Sequence, residues 1–384
     1  MALLYNVGCK LNQYEGYCLA RCFPDDTIIV NTCCVTHEAE VKSLKKLRRA
    51  KRSFPEKNLI ITGCLVHLRP ELFTGYTTID NEQRNSLING VFPEVEKARY
   101  FLKIEDGCNQ TCTFCVVARI RKRLWSKSIE EIRKEIEWAR HLGFNEIVLV
   151  GANIGLYGLE AGGSLVDLFK ELAKIPNLPR IRLSSLEPNF VNSELIAAMK
   201  DLPFCRHFHI PIQSGDDRIL ALMGRSYQVR HLKNIFELIV KNFTDVAIGA
   251  DIIVGFPQET EEAFNNTFRL IADVPFTHLH IFTYSPRSIT PAYNLGDPIS
   301  PEEKKRRFWV LKELISEKNY RFRQQLLNKT LEAIIEKKGE TLKGLTDNYI
   351  QVTIPDNLPQ RVLKKIKICE VTRNETRGIL ISDA

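Results

Sequence analysis

Between about residue 98 and residue 325 the sequence alternates strand-like with helix-like segments about six times, and this alternation constrains the fold more than any other feature. The strand candidates are Tyr100–Ile104, Glu146–Val150, Arg180–Ser184, His207–Ile210, Val246–Val254 and His278–Thr283. Helical patterns lie between them. Ser128, with Glu131 three residues on, forms a capping box; Ile129, Ile132, Ile136, Ala139 and Leu142 then share one face, and Gly143 ends the helix. Thr260 to Asp273 repeats the pattern, with Phe264, Phe268 and Ile271 on one face. Strands joined by helical crossovers run parallel, so this block predicts an α/β fold around a parallel sheet. Periodicity does not say whether that sheet closes.

Two further blocks flank it. Residues 1–92 carry apolar runs at Ile28–Val30 and Leu59–Thr62, separated by loops and basic stretches. At the other end, Ser300-Pro301-Glu302-Glu303 is a helix start with cap, Pro at N1 and Glu at N3, and the helix runs to about Leu327. Beyond it, Leu331–Glu336, Tyr349–Ile354, Lys365–Val371 and Gly378–Ile381 read as short strands of a small β domain. The expected division is 1–92, 98–327 and 328–384. No apolar run approaches the ~18–20 residues of a membrane helix. Met1 to Cys9 lacks the basic region of a secretory signal, so a cytoplasmic protein with no membrane partner is expected.

In such a compartment eleven cysteines point away from disulfides and toward metal or chemistry. Three of them form Cys108-Asn-Gln-Thr-Cys112-Thr-Phe-Cys115, directly after the first strand of the central block. Parallel α/β folds place their chemistry at such strand ends. Three close thiolates can hold three irons of a cubane cluster, whereas four would saturate it. The remaining iron would be open to S-adenosylmethionine (SAM), whose reductive cleavage yields a 5′-deoxyadenosyl radical. A zinc site would want a fourth ligand, and no Cys or His stands at zinc-finger spacing.

These residues resemble those of the radical SAM methylthiotransferases, and within them the bacterial enzymes acting on threonylcarbamoyladenosine in tRNA. Gly8-Cys9-Lys10-Leu11-Asn12-Gln13-Tyr14-Glu15 is similar to the opening motif of that subgroup. Relatives acting on isopentenyladenosine usually carry Gly-Cys-Gln-Met-Asn there, and those acting on a ribosomal-protein aspartate Gly-Cys-Pro-Lys-Asn. Asn31-Thr32-Cys33 and Thr62-Gly63-Cys64 match the next two cysteine motifs. The resemblance implies a second 4Fe–4S cluster on Cys9, Cys33 and Cys64, which spacing alone does not assemble. Cys34 makes the middle ligand ambiguous; Cys33 is preferred. Cys18, Cys22, Cys205 and Cys369 are read as buried packing cysteines. The family's fold would be an N-terminal α/β cluster domain, a central open (β/α)6-type radical SAM barrel and a small C-terminal β-barrel, the last resembling an RNA-binding module through Gly344-Leu345-Thr346-Asp347-Asn348-Tyr349.

Further matching segments lie at or beyond successive strand ends: Gly151–Gly155, Ser184–Pro188, Pro211–Gly215, Asp251–Pro257 and Tyr284–Arg287. From them Asn153, Glu187, Gln213 and Asp251 are candidate SAM contacts. The resemblance implies two 4Fe–4S clusters, SAM, a reducing electron donor and the tRNA anticodon stem-loop, with methylthio transfer to C2 of N6-threonylcarbamoyladenosine at position 37. Isopentenyladenosine, a ribosomal-protein aspartate, and a non-catalytic iron–sulfur RNA-binding or electron-carrier role are the alternatives. The chain departs from the family after the third cysteine: Val116-Val117-Ala118-Arg119-Ile120-Arg121-Lys122 stands where relatives read Ile-Ile-Pro-Tyr-Ala-Arg-Gly. A net charge of +8 suits a polyanionic partner. Three basic runs are candidate RNA contacts: Lys42 to Arg52, Arg119 to Lys127 with Trp125, and Lys304 to Arg307 followed by Phe308 and Trp309.

Overall fold

The computed structural model describes residues 1–95, 97–338, 341–355 and 358–381. At the N-terminus four strands, β1 (Leu3–Asn6), β2 (Thr27–Thr32), β3 (Asn58–Gly63) and β4 (Thr77–Ile79), form one parallel sheet in sequence order. Every residue of β2 is buried. Parallel strands covered on both faces read as continuous apolar runs, which is why β2 and β3 were legible. The three- and four-residue strands β4 and β1 were not.

Two short strands, β6 (Glu105–Asp106) and β7 (Trp125–Ser126), bracket the cysteine loop as an antiparallel pair. Around them the central block places β5 (Tyr100–Lys103), β8 (Glu146–Val150) and β9 (Arg180–Leu183) in one parallel sheet. A second parallel sheet holds β10 (His207–His209), β11 (Ala247–Val254) and β12 (His278–Thr283). Isolated parallel bridges, Ile181 to Phe204 and Ser185 to His209, join β9 to the β10 side. The result is an open six-stranded barrel wall whose strands match the predicted ones to within a residue or so. Ser128 caps the helix Ile129–His141 with both halves of its capping box in place, and Thr260 caps Glu261–Asp273. The helix capped by Ser300 spans Pro301–Gln324.

At the C-terminus β13 (Thr330–Lys338), β14 (Thr341–Thr346), β15 (Gln351–Thr353), β16 (Leu363–Val371) and β17 (Thr376–Leu380) close into a barrel. Strand β14 was not foreseen, because Gly344 interrupts its pattern; a Cβ there would lie 2.9 Å from that of Ala333 and 2.8 Å from Ile366 Cδ1. The predicted end of this domain at residue 384 lies outside the described residues. A buried ion-pair group docks the small barrel. Glu146 accepts from Arg180 and Arg182, whose guanidiniums also donate to the carbonyls of Leu345, Thr346 and Asp347. Against burial, which would raise it, Arg182 and Arg180 hold the Glu146 carboxyl down to about 2. Among the described residues no helix is long and apolar enough to cross a membrane.

Candidate functional site

The central triplet sits on a loop leaving β6, and backbone hydrogen bonds fix that loop. Cys108 N–H donates to Arg121 O at 3.0 Å, Thr113 N–H to Met223 O at 3.0 Å, and Ala292 N–H to Thr113 O at 2.9 Å. Gly107 enters with φ +97°, where a side chain would strike Arg123 O at 2.2 Å, so only glycine makes this turn. Phe114 packs beside Met223, Phe256, Tyr284 and Ala292. Arg225 Nη1 lies 3.0 Å from Cys112 Sγ, held there by Glu187 at 2.8 Å and Pro211 O at 2.8 Å. Burial, then the neighbouring Cys112, pushes the Cys115 thiol up to about 11. The positive charge of a bound metal would offset that repulsion as the thiols give up their protons.

Of the four candidate SAM contacts, Asn153 lies beside the triplet. Its Nδ2 approaches Cys108 Sγ at 3.9 Å, and its N–H donates to Glu105 Oε2 at 2.8 Å. Asn153 Oδ1 and Glu105 Oε1 are buried oxygens without a hydrogen bond. Buried polar atoms are rarely left so, and the Asn153 acceptor beside Cys108 fits a donor-bearing ligand such as the ammonium of SAM. Burial raises the Glu105 carboxyl to about 9. Sequence reading missed Glu105, which stands just past the predicted strand Tyr100–Ile104 with no motif to mark it. Glu187 is taken up by Arg225, and Gln213 holds a left-handed φ of +66° just beyond β10.

Asp251 lies inside β11 rather than at its end. Its Oδ1 meets His209 Nε2 at 2.8 Å and His280 Nδ1 at 3.1 Å. His207 Nε2 and His278 Nε2 are 3.3 Å apart, and Tyr349 of the small barrel stacks on His207 at 4.1 Å. A histidine ladder thus lines the barrel lumen. The sequence held its signal, unread: His207-Phe208-His209 and His278-Leu279-His280 put each pair on one strand face. The ligand atoms of His209, Asp251 and His280 lie within 4.8 Å of one another, a spacing that could hold a metal ion, although their mutual hydrogen bonds already satisfy them.

The N-terminal cysteines come together from three chain junctions. Cys9 caps the helix Lys10–Arg21, Cys33 follows β2, and Cys64 opens the helix Cys64–Leu68 after β3. Asn12 Nδ2 donates to Val7 O at 2.6 Å and Thr32 O at 3.1 Å, and Thr32 Oγ1 to Thr62 O at 2.6 Å, stitching the junctions together. A Cβ on Gly8 would lie 2.9 Å from Cys33 Sγ, so Cys33 packs directly against the turn that carries Cys9. Burial, with the Cys64 and Cys9 thiols adding to it, pushes Cys33 up to about 12. Cys64 goes the other way, lowered by the hydrogen bond from Cys34 and then by Arg121 and Arg84, against burial.

Those cations belong to a buried network. Glu15 pairs with Arg84, Lys103 and Arg121, each contact between 2.7 and 2.8 Å, and Asp106 pairs with Lys103 and Arg121 at 2.7 Å. Three cations on two carboxylates leave positive charge facing Cys64. Arg121 Nη2 is 3.9 Å from Cys64 Sγ. The same residue's carbonyl holds Cys108 N–H, so Arg121 touches both cysteine sets. This corrects the expectation for the second basic run: Arg121 and Lys127 are buried in ion pairs, with Glu15 and Glu135. Arg119, Lys122 and Arg123 stay exposed. In the third run Lys304 and Arg307 are likewise buried. Cys18 and Cys205 are buried as expected, whereas Cys22 and Cys369 are exposed.

Residues 102–271 match the Radical SAM superfamily, and residues 2–80 match the Uncharacterized protein family UPF0004. A threonylcarbamoyladenosine tRNA methylthiotransferase of Thermotoga maritima is 34% identical over 89% of this chain and 87% of its own. A tRNA-2-methylthio-N(6)-dimethylallyladenosine synthase of Dehalococcoides mccartyi is also 34% identical, over 95% of this chain and 94% of its own. Among solved structures, a radical S-adenosylmethionine methyltransferase of Kitasatospora setae superposes with a TM-score of 0.54 at 13% identity, covering 70% of this chain and 65% of that one, a likeness of fold alone. Identity at this level along nearly the full length makes the chain an enzyme of the radical SAM methylthiotransferase family.

Proposed function

We propose that this enzyme replaces the hydrogen on C2 of N6-threonylcarbamoyladenosine, beside the tRNA anticodon at position 37, with a methylthio group. The observation that carries the reading is Arg121, whose carbonyl holds Cys108 and whose guanidinium approaches Cys64. Two three-cysteine sets one residue apart suit a reaction in which a carbon radical made at one meets sulfur held at the other. Cys108, Cys112 and Cys115 would hold one 4Fe–4S cluster, and Cys9, Cys33 and Cys64 the second. Such clusters, with SAM, supply a radical able to take a hydrogen atom from an aromatic carbon, which no side chain acting as a base can do.

The chain's own residues bind and orient. Arg225 donates to the Cys112 sulfur and fixes its position. Asn153 offers an unpaired acceptor to SAM, and the protonated Glu105 an unpaired hydroxyl. Cations around Glu15 favour thiolate at Cys64. The exposed cations Arg119, Lys122 and Arg123, next to the cluster loop, suit the phosphates of an anticodon stem-loop. Relatives named for both threonylcarbamoyl- and dimethylallyladenosine match equally well, so dimethylallyladenosine is the second reading. The opening Gly8-Cys9-Lys10-Leu11-Asn12 favours the first. Nucleoside mass spectrometry of tRNA from a deletion strain tests this. Loss of the methylthiolated threonylcarbamoyladenosine is expected, and an unchanged nucleoside profile overturns the reading.

A further inference from the structure

Cations around the two cysteine sets are almost all paired. Arg121 and Lys103 have Glu15 and Asp106, Arg225 has Glu187, Arg182 has Glu146, and Arg99 has Glu336. Lys10 is the exception. It is half-buried, it follows Cys9 as the first residue of its helix, and among the described residues its ammonium makes no hydrogen bond or ion pair. The charges acting on it come from Arg99, Arg182, Cys9 and Asp251. Both arginines repel it: Arg99 is paired with Glu336, and Arg182 shares Glu146 with Arg180. Asp251, the acid on the lumen side, is committed to two imidazoles. Lys10 is also among the charges that lower His207 and His278 of the histidine ladder, after burial and the neighbouring imidazoles.

A half-buried cation with no counterion is costly until a ligand supplies one. The two adenosines named for the relatives differ in this respect. A threonylcarbamoyl group ends in a carboxylate, whereas a dimethylallyl group is a hydrocarbon. Resting on the tRNA reading above, we propose that Lys10 binds the carboxylate of the substrate's N6 substituent and thereby decides which modified adenosine the enzyme accepts. A site built to pair a charge rejects an analogue lacking it far more strongly than an apolar pocket rejects an extra methyl group. The rival explanation is that Lys10 only offsets negative charge on Cys9 and its neighbours.

The reconstituted full-length enzyme and its Lys10→Gln and Lys10→Arg variants separate these. Three anticodon stem-loop RNAs are compared, carrying threonylcarbamoyladenosine, its methyl ester, or dimethylallyladenosine. Kd by fluorescence anisotropy, kcat/KM and iron content are read for each. Lys10→Gln is expected to weaken Kd and kcat/KM for the acid by roughly 10–100-fold, the range of a charge-assisted pair. Lys10→Arg should keep most of both. The ester should bind wild type and Lys10→Gln alike, with iron content equal throughout. An acid-bearing RNA that binds Lys10→Gln as tightly as wild type overturns the proposal. So does an equal loss on acid and ester, or iron lost with affinity, either of which assigns Lys10 to cluster charge. A wild type that modifies the dimethylallyl RNA and not the threonylcarbamoyl RNA sinks the substrate reading itself, whatever Lys10 does.

Discussion

The two cysteine sets are built in opposite ways. The central set occupies eight consecutive residues on one loop, pinned by backbone hydrogen bonds to Arg121 and Met223 and by Ala292 N–H on Thr113 O. Its surroundings are nearly charge-balanced, with Arg225 on Glu187 and a Glu105 carboxyl that burial keeps protonated. The N-terminal set draws its cysteines from three separate junctions and sits against Arg84, Lys103 and Arg121, an excess of cations over Glu15 and Asp106. A loop can deliver three thiols by spacing alone. A set gathered by topology needs its junctions held by side chains such as Asn12, and here charge favours the thiolate at one of its members, Cys64.

Removing one thiol from each set gives the largest effect. Cys112→Ala should abolish formation of 5′-deoxyadenosine from SAM in the reconstituted enzyme. Cys64→Ala should keep that product while losing the methylthiolated nucleoside. Chromatography of both products, with iron counted per chain, checks it. If Cys64→Ala also loses 5′-deoxyadenosine at full central iron content, the two sets are not separable in the way their construction implies.

Glu15→Gln attacks the charge side of the comparison. Glu15 is fully buried, and three cations converge on it. Breaking a buried ion-pair network by removing one partner costs about 3–5 kcal/mol. The urea midpoint should fall accordingly, and the N-terminal set should lose iron before the central one does. Equal loss from both would show that Arg121 ties the sets into one unit.

The same contrast explains what could be read from sequence. The barrel strands are parallel and, apart from the largely exposed β12, buried, so apolar runs bounded by helix signals located them. Cys108, Cys112 and Cys115 announced themselves by spacing. Cys9, Cys33 and Cys64 needed a family pattern, because only the side-by-side pairing of β2 with β3 brings the latter two together. Charge was misread where pairing decides it. Arg121 and Lys127 looked like RNA contacts in a basic run, and their carboxylate partners lie 106 and 8 residues away in sequence. Asp251 looked like a strand-end ligand, whereas its histidine partners come from two other strands.

The lumen histidines give a pH signature of intermediate size. Burial, with His209 and His280 adding repulsion, lowers His278 to about 3 from an ordinary value of 6.5. His207, His209, His280, Asp251 and Lys10 all face it. The ring is neutral in the folded protein, while the unfolded chain takes up a proton as pH drops below about 6.5. Stability therefore declines as pH falls from 6.5 toward 3. Between pH 7 and pH 5 this contributes about 1 kcal/mol, less than full linkage because the ring borders the open lumen. His278→Gln should shed that part of the acid sensitivity in urea titrations at the two pH values. An unchanged difference would place the sensitivity in the paired carboxylates of the N-terminal network instead.

The smallest effect distinguishes neighbouring thiols within the topological set. Cys33 packs against Gly8, whereas the Cys34 thiol, fully buried, shares a hydrogen bond with Cys64. If Cys33 is the ligand and Cys34 its neighbour's donor, the two alanine variants diverge. Cys33→Ala should lose the N-terminal iron. Cys34→Ala should keep it but shift that cluster's reduction potential to more negative values, because a hydrogen bond to a ligand sulfur stabilises the reduced form. Redox titration followed by electron paramagnetic resonance on the Cys112→Ala background isolates the N-terminal signal. Iron lost from Cys34→Ala and retained in Cys33→Ala would exchange their roles. A potential unmoved in Cys34→Ala would leave the charge excess around Glu15 as the sole source of the low Cys64 value.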